Sequence, residues 1–312
     1  MRAALIREFA TAPEVGEFAA PSPEAGQVAL DVELAALNPV DRLIASGTFA
    51  HGAPPLPYIP GREGIARLED GTFAYFDMPI PRYGAIAEQV LVPEGSLHPL
   101  PAGLDPGKAL ACGVAGMAAW FSLKKRAALQ PGERVLILGA GGAVGQVGLA
   151  VARKLGAGKI VAGLRDPSKL QGAADAAVSV AGSREEVAKA ITEAFDGEGP
   201  DVVLDPVWGV PAEAASEAMA FGGRLVQLGQ SAGTEATFVS TAVRNKCLHL
   251  MGHTNFAHSH EERAEALAEM FSWTAAGDID VPYETLPLDR VAEAWERQAA
   301  APGLKLTIDP RG

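Results

Sequence analysis

The chain has 312 residues, and 26 Lys+Arg against 38 Asp+Glu leave a formal charge of −12. That length suits about two domains, and a chain that is 48% hydrophobic and 21% charged is too apolar for disorder. The acidic balance argues against nucleic acid or an anionic membrane surface as partner, while a small anionic ligand in a local basic pocket stays possible.

Residues 1–6 and 28–34 have strand character, with Pro21, Pro23 and Gly26 between them. The proline-rich stretch 54–61 excludes helix and central strand and reads as an extended loop. Residues 72–76 and 87–92 are further strands, so residues 1 to about 112 read as a mostly β domain. Two uncharged stretches, 109–123 and 135–152, resemble membrane spans only superficially. The first is shorter than the ~20 residues a span needs. Glycines and Gln146 interrupt the second, which reads as strand, turn and helix.

From about residue 130 the pattern changes. Apolar runs at 135–138, 160–164, 177–180, 202–204, 225–228 and 248–251 alternate with helical patterns. Between the first two, Val144, Val147, Val151 and Leu155 recur on one helix face. Alternating buried strands and helices imply an α/β fold with a doubly wound parallel sheet. An amphipathic helix over 260–276, a helix over 288–299 and a strand over 305–308 close the chain.

The two cysteines, Cys112 and Cys247, exclude a disulfide framework and a four-cysteine zinc site. They read as packed thiols, with Cys247 in a buried strand. Charges at Arg2, Arg7 and Glu8 interrupt any signal-peptide core, which points to a cytoplasmic protein.

The most informative stretch is Val135-Leu136-Ile137-Leu138-Gly139-Ala140-Gly141-Gly142-Ala143-Val144-Gly145. A strand, a glycine turn and a helix in that order let a backbone approach a pyrophosphate, and the helix start offers N–H groups and a positive dipole end. An acid binding the ribose of NAD is expected at the end of the second strand, where Leu164 stands. Asp166 precedes Pro167 and reads as a helix N-cap. Arg165 and Lys169 suit a 2′-phosphate, which favours NADP (NADPH) over NAD.

These features, with the surrounding motifs, resemble a zinc-independent medium-chain dehydrogenase/reductase of the quinone oxidoreductase (zeta-crystallin-like) type. The resemblance rests on Ala35-Ala36-Leu37-Asn38-Pro39-Val40-Asp41, Ala45-Ser46-Gly47-Thr48-Phe49, Leu56-Pro57-Tyr58-Ile59-Pro60-Gly61 and Tyr83-Gly84-Ala85-Ile86-Ala87-Glu88. It continues through the GxxGxxG loop Gly139–Gly145, Asp205-Pro206-Val207, Gly222-Gly223-Arg224-Leu225-Val226 and Gly303-Leu304-Lys305-Leu306. It implies a GroES-like β domain over 1–112 and 255–312, serving catalysis and substrate, and a Rossmann NADP-binding domain over 113–254. The active site would lie in the cleft between them.

The resemblance also assigns roles. Gly139, Ala140, Gly142, Ala143, Val144 and Gly145 would hold the pyrophosphate, and Arg165 and Lys169 the 2′-phosphate. Val207 and Gly229 would line the cofactor, and His253, Asn255 and Phe256 would cover the nicotinamide. Lys305 would approach the cofactor phosphate. Zinc-dependent relatives carry a cysteine in the region of residues 36–41 and a His-Glu pair after the Pro-Gly. Here Asn38 and Gly61-Arg62-Glu63 occupy those regions, so no metal is expected.

Without a Lewis acid, reduction of a quinone, enone or other conjugated C=C is the expected chemistry, and hydrogen-bond donors suffice for the developing enolate. Asn38 is a candidate donor, or else an asparagine capping a turn before Pro39. Arg62 either binds an anionic group or pairs with Glu63 or Asp41. Tyr83 is a second donor candidate, because Phe49 stands where these enzymes often have tyrosine. Met117 in place of a common threonine and a short 65–76 segment set the chain apart. Two rivals stand beside a small electrophile as substrate: a pathway-specific C=C or C=N reductase of secondary metabolism, and a catalytically inactive nucleotide-binding protein acting through partners. A homodimer paired along the last Rossmann strand, residues 248–251, is expected.

Overall fold

The computed structural model describes residues 1–170 and 173–312. The chain divides into two compact units, Met1–Val114 with His260–Gly312, and Ala115–Ser259.

In the first unit, β1 (Arg2–Leu5) and β2 (Glu14–Glu17) form an antiparallel ribbon. The long β3 (Gln27–Leu37) leads through Asn38 into the short helix α1 (Pro39–Ala45), which has proline in its first turn. β4 (Glu63–Arg67) and β5 (Phe73–Asp77) follow as a tight hairpin, then β6 (Gln89–Pro93) and β7 (Leu97–Pro99). β6 pairs with the first half of β3, and β4 with its second half across a register shift. The helix α2 (Pro106–Trp120) carries the chain out of this unit, and a π-helical turn over Phe121–Arg126 extends it.

The second unit is a six-stranded parallel sheet with helices between its strands. β8 (Arg134–Leu138), α3 (Ala143–Lys154), β9 (Lys159–Leu164), β10 (Ala176–Ser179), α4 (Arg184–Ala194), β11 (Val202–Asp205), α5 (Gly209–Ala218), β12 (Arg224–Gln227), α6 (Ser240–Asn245) and β13 (His249–Gly252) follow in order. The strand order is β10-β9-β8-β11-β12-β13, the doubly wound arrangement with its reversal beside β8. The strands are short apolar runs because both faces of the inner ones are covered. Leu136, Leu138, Val161, Val203 and Leu225 share one core with Val187 and Ile191 of α4 and with Phe195 at its end. Val147 and Val151 of α3 are fully buried.

Cys247 corrects the sequence reading. It is exposed, in a turn after α6 with φ of 51°. The strand starts only at His249, and among the described residues β13 pairs with β12 alone.

The chain then returns to the first unit through α7 (His260–Ala275), β14 (Tyr283–Pro287), α8 (Val291–Ala299) and β15 (Lys305–Asp309). β15 runs antiparallel to β3, with Leu306 opposite Leu37 and Ile308 opposite Ala35. That pairing brings Lys305 close to the start of α1, where Asn38 sits. Among the described residues no helix is long and apolar enough to cross a membrane.

Candidate functional site

The glycine loop joins β8 to α3 at the C-terminal edge of the parallel sheet. Gly139 has φ of 62°, and a Cβ there would lie 2.7 Å from the Val207 side chain. A Cβ on Gly145 would lie 2.4 Å from the Gly139 oxygen and 2.5 Å from the Ala140 Cα. These two glycines are therefore demanded by close packing. Gly141 and Gly142 differ, for a Cβ on either would meet nothing nearer than 3.4 Å. They leave a cradle at the start of α3, whose first N–H groups, from Ala143, Val144 and Gly145, have no acceptor within the helix. Gln146 Nε2 donates to the Gly141 oxygen at 2.9 Å and holds the turn. The cradle fits a pyrophosphate.

At the end of β9, Leu164 is buried and Arg165 and Lys169 are exposed. Asp166 caps the following turn, accepting from the Ser168 N–H at 3.1 Å, with Pro167 next. Its other oxygen lies 3.9 Å from Lys169 Nζ, so Arg165, Asp166 and Lys169 are exposed together just beyond the strand. A Cβ on Gly229 would lie 2.4 Å from the Pro206 oxygen, so the ends of β11 and β12 close together around Pro206 and Val207.

Beyond β13, His253 Nε2 and Asn255 Oδ1 are 2.9 Å apart. The His253 N–H donates to the Gln227 oxygen, which ties this loop to the end of β12. Burial pushes the His253 imidazole down to about 4, so it is neutral near pH 7. His258 stacks on Phe121 with ring centroids 3.6 Å apart. The Phe256 N–H donates to Thr254 Oγ1.

The first unit holds a second polar centre, built on Glu63. Its Oε1 accepts from Lys305 Nζ at 2.6 Å and Asn38 Nδ2 at 2.9 Å. Its Oε2 accepts from the Tyr75 hydroxyl at 2.8 Å and the Val114 N–H at 2.7 Å. Lys305 Nζ also donates to Asn38 Oδ1 at 2.5 Å. Glu63 is fully buried and Lys305 only 3% exposed. Gly113 permits this, since a Cβ there would lie 2.2 Å from Glu63 Oε2.

Four candidate residues, Lys305, Asn38, Tyr83 and Arg62, take definite places at or near this centre. Lys305 is no cofactor-phosphate ligand in this arrangement, because a buried ammonium needs a carboxylate and this one is seated on Glu63 and Asn38. Asn38 is more than the N-cap of α1: its N–H is held by Asp41 Oδ2 at 2.8 Å in a capping box, and its carboxamide also bonds Glu63 and Lys305. Tyr83 stands apart from the network and packs edge-on against Phe18, with centroids 5.7 Å apart, beside Ala3, Leu5 and Ile59. Arg62 does not pair with Glu63, whose oxygens are taken by other donors. Its guanidinium lies beside Met78, burial lowers its pKa, and Asp41 and Asp77 oppose that shift.

Asp41 is buried, and burial raises its pKa to about 7 against the pull of the Asn38 N–H, Arg62 and Lys305. The unfolded chain gives up this proton near its ordinary value of about 4, well before the folded chain does. Between those values the folded state binds more protons, so stability falls as pH rises and levels off above about 7. Asp41→Asn should remove this slope. From about pH 5 to about pH 8, urea unfolding should show the variant gaining about 2 kcal/mol on the parent. An equal difference at both pH values would show that Asp41 does not titrate this way.

A family model described as zinc-binding dehydrogenase matches residues 143–273. The quinone oxidoreductase of Lama guanicoe is 29% identical over 317 residues, 95% of this chain and 93% of that protein. Quinone oxidoreductase-like protein 2 of Bos taurus is 30% identical over 262 residues, 80% of this chain and 74% of its own length. The quinone oxidoreductase of Thermus thermophilus, solved alone and with NADPH, is 30% identical with a TM-score of 0.84, covering 99% of this chain and 100% of that one. The chain belongs to the quinone oxidoreductase family.

Membership makes this an oxidoreductase of the medium-chain dehydrogenase/reductase type. Zinc does not fit the residues present. Asn38 and Arg62 are not zinc ligands of the usual kind, and all four contacts of the Glu63 carboxylate are hydrogen-bond donors. Among the described residues no group of three or more His, Cys, Asp or Glu is placed to hold a metal. Sequence reasoning missed Tyr75, and it named Glu63 only as a possible partner of Arg62, because nothing in the spacing ties Glu63 to Lys305, 242 positions away.

Proposed function

We propose that this quinone oxidoreductase family member is an NADPH-dependent, zinc-free reductase of a quinone, enone or other conjugated C=C in a small electrophile. The cradle at Gly141 and Gly142 carries this reading: it leaves room for a pyrophosphate where the start of α3 supplies N–H donors. Arg165 and Lys169, exposed after β9, suit a 2′-phosphate. Gly139, Ala140, Gly142, Ala143, Val144 and Gly145 would hold the pyrophosphate, with Val207 and Gly229 lining the same edge. His253, Asn255 and Phe256 would bound the nicotinamide. When bound, NADPH supplies the hydride. Asn38 donates an amide hydrogen to the substrate oxygen as negative charge grows there, and solvent protonates the product.

The test follows NADPH loss by absorbance with phenanthrenequinone and a panel of enones. Turnover is expected, and no turnover across the panel with NADPH bound would sink the proposal. Arg165→Ala with Lys169→Ala should weaken NADPH roughly tenfold or more and leave NADH unchanged. Tighter NADH than NADPH binding in the parent would reverse the cofactor assignment. A homodimer along β13, whose Leu250 is exposed and whose outer edge has no partner strand among the described residues, belongs to the same reading. Light scattering should then give twice 32.3 kDa.

A further inference from the structure

Asn38 is held from both sides by charge. Its Nδ2 donates to the Glu63 carboxylate, and its Oδ1 accepts from the Lys305 ammonium. Lys305 and Glu63 also bond each other at 2.6 Å, so the three groups close a ring. A carboxamide can ordinarily turn over and exchange its oxygen for its nitrogen. Here the exchange would set NH2 against an ammonium and C=O against a carboxylate, and both contacts would turn repulsive in a buried site. The carboxylate cannot swing away to relieve this, because Tyr75 and Val114 hold its other oxygen. The main chain is fixed as well, by Asp41 on the Asn38 N–H and by Pro39 behind it.

We propose that Glu63 and Lys305 are positioning residues that lock the Asn38 carboxamide in one orientation, leaving its second Nδ2 hydrogen as the donor it presents to a substrate oxygen. This rests on the reading above that Asn38 meets the substrate. The ring gives a reason for keeping a charged pair in a fully buried place. A packed apolar pair of similar volume is often as stable, but it could not define which way round a buried amide sits. A donor already aimed where charge develops needs no reorganisation during reaction.

The experiment compares Asn38→Ala, the charge-neutral double variant Glu63→Gln/Lys305→Met, and Lys305→Arg, with NADPH and phenanthrenequinone. It reads kcat, KM, NADPH affinity and the urea midpoint for each. The double variant should lose roughly tenfold or more in kcat with NADPH affinity unchanged. Adding Asn38→Ala to it should cost nothing further, and Lys305→Arg should recover most of kcat. A purely structural pair would shift the urea midpoint, spare kcat, and leave the Asn38→Ala loss at full size in the double background; that result overturns the proposal. Should the double variant fail to fold, Tyr75→Phe decides. It frees Glu63 Oε2 without removing a charge. A kcat loss of about threefold that vanishes in the Asn38→Ala background supports positioning, and an equal effect in both backgrounds overturns it. If Asn38→Ala alone leaves kcat and KM unchanged, the contact of Asn38 with substrate fails instead.

Discussion

Glu63→Ala should lower the unfolding free energy by about 3–5 kcal/mol, the cost of stranding a buried charge. Four donors lose their acceptor at once: Lys305 Nζ, Asn38 Nδ2, the Tyr75 hydroxyl and the Val114 N–H. The ammonium is the costly one, because only 3% of the Lys305 side chain reaches solvent. Lys305→Met should cost less. Its loss leaves a carboxylate that still accepts from three groups contributed by β3–α1, β5 and α2. The two single losses should not add. Glu63→Gln/Lys305→Met removes both charges and should lie nearer the parent than Glu63→Ala, since exchanging a whole buried ion pair for neutral groups is often close to neutral. Urea unfolding measures all three. A Glu63→Ala protein within about 1 kcal/mol of the parent would mean that the buried ammonium finds another partner. Against a total stability of about 5–15 kcal/mol, a loss of the expected size should also reduce the yield of folded protein.

The parts of this molecule that were legible in sequence are those whose periodicity a single element imposes. The six strands of the parallel sheet stand within two residues of their apolar runs, because strands buried on both faces read as unbroken Val, Ile and Leu. The face of Val147 and Val151 on α3 was legible for the same reason. Asp166 showed itself as an N-cap through the proline after it. The helix α2 did not show itself. Its Ala109, Ala111, Cys112, Ala115 and Ala119 are buried on several sides, and a helix enclosed in this way has no polar face to mark the period. β14 was hidden too, since a five-residue strand beginning at Tyr283 and ending at Pro287 looks like a loop until β15 lies beside it. Cys247 was misplaced because the apolar run around it belongs partly to a turn. The least legible feature is the polar centre. Tyr75, Glu63, Asn38 and Lys305 come from four strands and their ends, and the antiparallel pairing of β15 with β3, β3 with β4 and β4 with β5 sets their meeting. Tyr83 stood out in sequence because it opens a family motif, whereas Tyr75, buried in a hairpin, carries no such mark.

Gly145→Ala and Gly142→Ala should separate the two jobs of the glycine loop. At Gly145 the added methyl would sit 2.4 Å from the Gly139 oxygen and 2.5 Å from the Ala140 Cα, both backbone atoms that no side-chain rotation can move. The start of α3 must shift, costing about 1–3 kcal/mol in stability by overpacking. NADPH affinity should fall at the same time by roughly a hundredfold, because the N–H groups of Ala143 and Val144 move with the helix end. At Gly142 the backbone has φ of −86° and ψ of 166°, which any residue adopts, and the nearest heavy atom to the new methyl is 3.5 Å away. Stability should stay within about 0.5 kcal/mol of the parent. A methyl there occupies part of the cradle, so NADPH affinity should still fall by roughly tenfold. Titration of intrinsic or NADPH fluorescence gives the affinity, and urea unfolding gives the stability. The informative pair is an unchanged urea midpoint with weakened NADPH for Gly142→Ala. Parent-like NADPH affinity in that variant would place the phosphates elsewhere and would remove the observation on which the NADPH reading stands.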